Sequence, residues 1–129
     1  MKPVFQKGMS GCWEACIASI LEIPLEEVPD FDPDQNGGLD SGTGEWFDRT
    51  SDWLQKNHGL YLVAAAAVPE LMPRGYHIIT GKSPRGNCDH AVVGRDGAPA
   101  HDPYPGGGCR LLTTDDYVLF VSCCDIASK

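Results

Sequence analysis

The stretch Gln6-Lys7-Gly8-Met9-Ser10-Gly11-Cys12-Trp13 sets a glutamine six positions ahead of a cysteine, and that cysteine opens a segment with a helical apolar pattern. A thiol in a first helical turn feels the positive end of the macrodipole and the backbone N–H groups that precede the first helical bond. Both favour thiolate over thiol. Downstream, Asp89-His90-Ala91-Val92-Val93 offers an imidazole on a strand-like run, and His101-Asp102-Pro103 offers a carboxylate twelve residues after His90. Nucleophile, base and orienter are all available, and the chemistry they suggest is acyl transfer. His90 would deprotonate Cys12, Asp102 would hold the imidazolium, and the Gln6 amide with the Cys12 N–H would meet the oxyanion of a thioester-forming attack.

The elements that must position these groups can be read from pattern. Ser10 or Gly11 can cap a helix whose positions Cys16, Ile17, Ile20 and Leu21 form a buried stripe, and Pro24 stops it. The stretch from Pro24 to Pro29 reads as one short helical turn. From Pro29 to Gly44 the chain is rich in Pro, Gly, Asp and Asn, a loop that can act as a lid over residues 30–44. A second helix is expected over Glu45 to Asn57, with Trp46, Phe47, Trp53 and Leu54 at helical spacing and Gly59 beyond its end. Strands are expected at Leu60 to Val68, Tyr76 to Thr80, His90 to Gly94 and Tyr117 to Cys123. Asp96-Gly97 is a two-residue hairpin signal, so the strand carrying His90 should turn back through Ala98 to His101 and bring Asp102 beside His90.

Each site residue has a plainer alternative. Cys12 can be a small buried hydrophobe, and Cys16, one turn on, is its structural twin and the next nucleophile to test. His77 competes with His90, and His58 suits a helix end. His101 should point to the face opposite Asp102 if the strand persists. Gln6 can be an ordinary solvated side chain, Trp13 packing that shields the His–Asp bond, and Arg85 either a bidentate fork for a carboxylate or phosphate or an exposed loop cation.

A chain of 129 residues with 42% hydrophobic content fits one domain over residues 1–129 with its own core. A net charge of −8 with scattered basic residues argues against a nucleic-acid surface. No apolar stretch approaches the roughly 18 residues that span a bilayer, and no signal core opens the chain, so a soluble cytoplasmic protein is expected, with no membrane partner. In such a compartment the six cysteines should be thiols. The spacing lacks a Cys-x₂-Cys knuckle, so neither a metal nor any other cofactor is expected.

With Gln6, Cys12, Trp13, His90 and Asp102 in this order and spacing, the chain resembles the papain-like cysteine peptidases. The Asp102-Pro103 pair in place of an asparagine makes it more similar to compact bacterial and phage members, such as the domains that trim bacteriocin leaders. The resemblance implies an α+β fold, with an N-terminal helix carrying the nucleophile against an antiparallel sheet. It also implies a thiol hydrolase acting on a peptide, isopeptide or amide bond of a peptide or protein substrate, with Trp13, Trp46 and Arg85 as candidate substrate-binding residues. Two other readings remain at this level: an acyltransferase using the same thioester, and a non-enzymatic binding module whose cleft captures a partner.

Overall fold

Seven successive residues of the first helix, Trp13 to Ser19, are buried, and the rest of the chain is arranged to cover them. The computed structural model describes residues 1–8, 11–31, 45–71, 73–86 and 88–123. Helix α1 (Cys12–Leu21) opens after Gly11, whose φ of 90° is left-handed and suits glycine, and closes at Glu22, also left-handed. A 3₁₀ turn follows at Leu25–Glu27. Helix α2 (Glu45–His58) buries Trp46, Thr50 and Leu54 at intervals of four and exposes its charged face. The segment expected as a lid, 30–44, falls for its larger part outside the described residues.

The strands are β1 (Leu60–Ala66), β2 (Tyr76–Lys82), β3 (Asp89–Arg95), β4 (Ala98–His101) and β5 (Asp116–Ser122). They form one sheet in the order β1-β5-β2-β3-β4, and every pairing is antiparallel. Strand β1 ends two residues earlier than expected, before Ala67. Strand β2 runs two residues longer than expected because Gly81 and Lys82 pair with His90 and Asp89. The described part is thus α+β, with α1 packed on β2 and β3 and α2 on β1.

The core between helices and sheet holds Trp13, Ile17, Trp46 and Leu54 from the helices and Leu62, Ile78, Ala91, Val93 and Val118 from the strands. Trp13 donates its indole N–H to Thr50 Oγ1 at 3.1 Å and meets Trp46 edge-on at 5.0 Å between centroids. An indole of this size with its polar atom satisfied ties α1 to α2. Truncating such a residue typically costs about 3–5 kcal/mol. Segment 1–6 is stitched to α1 by Ser19, whose hydroxyl accepts the Val4 N–H and donates to Ala15 O. No helix among the described residues is long and apolar enough to cross a membrane.

Candidate active site

The hairpin between β3 and β4 builds the centre of the site. Asp96 (φ 53°) and Gly97 (φ 86°) are both left-handed, as a two-residue turn of this kind requires. Arg95 then pairs with Ala98 and Gly94 with Pro99, but Val93 pairs with His101, so Ala100 is an extra residue in β4. Past this bulge Asp102 falls on the same side as His90. His90 Nε2 and Asp102 Oδ1 are 2.8 Å apart, with both side chains 5% exposed.

Asp102 is held from three directions. Its Oδ1 also accepts the Tyr104 N–H at 2.9 Å, and its Oδ2 accepts the Cys109 N–H at 3.0 Å. Gly107 is packed so closely that a Cβ there would lie 2.2 Å from Oδ2. A carboxylate clamped this way cannot swing from the imidazole, and it fixes which ring nitrogen is engaged. Nδ1 of His90 is the nitrogen left to exchange a proton. Burial lowers the His90 pKa below its ordinary 6.5; Asp102 opposes the shift and the nearby Arg85 charge adds to it. The shift favours the neutral imidazole, the form that can take a proton from a thiol.

His101 takes the other direction. It is buried, its Nε2 lies 2.8 Å from Val4 O, and its ring meets Phe5 edge-on. Two residues on, Pro103 O accepts the Gln6 N–H at 2.9 Å. The end of β4 thereby holds the segment that carries Gln6. The Gln6 side chain is buried, not solvated, and its amide donates to Gly8 O at 2.9 Å. A Cβ added to Gly11 would meet Gln6 Cβ at 3.9 Å, so Gln6 abuts the residue just before Cys12.

Cys12 is the first residue of α1 and half-buried. The first helical bond is that from Ala15 N–H to Gly11 O, so the N–H groups of residues 12–14 project from the helix start. Cys16 is fully buried, and its thiol pKa is raised well above the ordinary value, first by burial and then by Cys12, Asp102, Cys109 and Glu14. An uncharged, sealed thiol is a poor nucleophile, which removes Cys16 as an alternative. The charges of Asp102 and Cys109 are close enough to be felt at Cys16. Alternation in β3 sets Ala91 and Val93 in the core shared with α1 and turns His90 to the opposite face. The His90–Asp102 pair thus lies on the side of β3 opposite Ala91 and Val93.

The remaining expectations divide. Trp13 and Trp46 are 0% and 2% exposed and belong to the core, so they have no surface to offer a substrate; Trp13 covers Thr50 and Trp46. Arg85, by contrast, stacks on Tyr104 with its guanidinium 3.8 Å from the ring centroid. Tyr104 lines an open cavity of about 260 Å³ together with Gln6, Gly8 and Pro105. His77 is fully buried, packed edge-on against Tyr117, with Nδ1 near Gly75 O. Tyr104, Gly107 and Cys109 were not singled out from sequence; the Gly106-Gly107-Gly108 run was the signal that a tight turn faced the carboxylate. Among the described residues no group of three or more His, Cys, Asp or Glu side chains is placed to hold a metal ion.

No protein-family model matches this chain, and neither a curated protein nor a solved structure is found similar to it.

Proposed function

We propose that this chain is a thiol-dependent hydrolase of papain-like architecture that cleaves a peptide, isopeptide or amide bond through Cys12, His90 and Asp102. The observation that carries the reading is the buried His90–Asp102 pair at 2.8 Å, its carboxylate clamped by two backbone amides and its imidazole on a strand that packs against the helix Cys12 opens. A carboxylate buried, triply bonded and aimed at one imidazole nitrogen is costly to assemble for packing alone. Gln6, buried with its Oε1 lacking a hydrogen-bond partner among the described residues, adds a second such cost at the same place.

In this mechanism neutral His90 takes the thiol proton as Cys12 Sγ attacks the substrate carbonyl carbon. The oxyanion that forms is met by the Cys12 N–H and the Gln6 amide. His90 then gives its proton to the leaving amine as the C–N bond breaks, leaving a thioester. Water, deprotonated by His90, attacks that thioester, and the acid departs as Cys12 recovers its proton. Asp102 keeps the imidazole oriented and stabilises its charge in each transfer.

The test is covalent capture with peptide, ubiquitin-like and amide electrophiles, mapped by mass spectrometry. Exposed Cys88 serves as the internal reference thiol. Preferential modification of Cys12, abolished in Cys12→Ala and slowed in His90→Ala, is the expected result. Modification of Cys12 no faster than that of Cys88, and indifferent to His90, would rule the proposal out.

A further inference from the structure

Arg85 belongs to the Ser83-Pro84-Arg85-Gly86 turn between β2 and β3, and that turn is pinned. Its N–H donates to Ser83 Oγ at 3.1 Å, and the Ser83 N–H donates to Cys88 O at 2.9 Å. The guanidinium lies over the Tyr104 ring, and Tyr104 is itself anchored through its N–H to the same carboxylate that holds His90. Among the described residues no carboxylate lies within ion-pair distance of Arg85, although acidic residues outnumber basic ones 18 to 10 in the chain. A guanidinium whose carbon sits over a ring keeps N–H donors for a planar two-oxygen acceptor, which its fork matches. Tyr104 is also a wall of the open cavity shared with Gln6, Gly8 and Pro105, so the cation stands at the rim of a groove that leads to the candidate oxyanion donor.

We propose that this groove is a carboxylate-binding subsite, in which Arg85, braced on Tyr104, receives a carboxylate of a peptide ligand whose backbone lies along Gln6, Gly8 and Pro105. The proposal rests on the hydrolase reading and names its substrate class: a peptide bearing a carboxylate close to the scissile bond, as an acidic side chain or as a free C-terminus. A chain of net charge −8 repels anions at long range, so a carboxylate binds only where a local cation outweighs that field. The contact is a charge-assisted, bidentate one and sits in a recess, where it discriminates an acid from its amide by about ten-fold or more.

The experiment measures equilibrium binding to the Cys12→Ala chain, which requires no chemistry. Three dye-labelled probes are compared: tetraglycine with a free C-terminal carboxylate, tetraglycine amide, and a tetraglycine amide with one glycine replaced by aspartate. At least one carboxylate probe should bind about ten-fold more tightly than the plain amide. The tighter of the two identifies the carboxylate as terminal or side-chain. Arg85→Gln and Tyr104→Ala should each erase the preference, Arg85→Lys should keep only part of it, and all three variants should retain the parent's thermal midpoint. Equal affinity for acid and amide, no binding of any probe, or a preference that survives Arg85→Gln overturns the proposal. Electrophile capture at Cys12 in the unmodified chain is read separately, so failure of the subsite and failure of the hydrolase reading give different results.

Discussion

Val93 pairs with His101, one residue further along β4 than the tight Asp96-Gly97 turn alone would dictate. Without the extra residue Val93 would face Ala100, and His101 in place of Asp102 would share the side of the sheet that His90 occupies. A shift of one residue exchanges the two faces of a strand. The choice between a carboxylate and a second imidazole as partner of His90 therefore rests on Ala100.

Deleting Ala100 should restore the unbroken ladder and turn Asp102 away from His90. The expected outcome is loss of the His90–Asp102 bond, read by NMR of the imidazole protons. Turnover should fall by about 10²–10⁴-fold, the usual worth of a positioned acid–base group.

Gly107→Ala tests the clamp without replacing any charged residue. Its φ is not left-handed, so the backbone accepts alanine, but the new methyl would lie 2.2 Å from Asp102 Oδ2. Overpacking of this kind costs about 1–3 kcal/mol. The carboxylate should be displaced and turnover reduced while circular dichroism stays that of the parent.

The pH profile follows from the His90 shift. Because burial keeps its pKa below 6.5, the acid limb of kcat/KM should lie below that value. Asp102 opposes the shift and Arg85 adds to it. Asp102→Asn should thus move the limb to lower pH, and Arg85→Gln to higher pH, each checked by NMR titration of the His90 ring.

Stability should respond to pH in the same direction. His77 and His90 are both held below 6.5, in each case first by burial. Between the folded and unfolded values the unfolded chain binds more protons, so stability rises with pH there. It is fully present above 6.5 and lost as pH falls through the folded values. Denaturant midpoints measured at pH 7.5 and pH 5.5 should show the lower value at 5.5, with a smaller difference in His90→Asn.

Gln6→Ala and Trp13→Ala should separate chemistry from packing. Loss of one oxyanion donor typically lowers kcat by about 10²–10³-fold, and Gln6→Ala should do so with the fold retained. Trp13→Ala removes a fully buried indole and its bond to Thr50, and should cost about 3–5 kcal/mol in denaturant titration.

Much of the framework was legible in the residue pattern, because short-range rules govern it. The apolar stripe of α1, the helix from Glu45, the Asp96-Gly97 turn and the β-branched strands each depend on neighbours within a few positions. The approach of Asp102 to His90 was legible for the same reason, since a two-residue turn is read from adjacent positions. Other matters depend on contacts that link residues far apart in sequence. Nothing near Trp13 or Trp46 marks them as core partners of Thr50 and Phe47 instead of cleft residues. The stacking of Arg85 on Tyr104, the charge state of His90, the sealing of Cys16 and the bulge that selects Asp102 over His101 all arise from how separate segments exclude water and share space. Burial and register are properties of the assembled chain, and no window of sequence contains them.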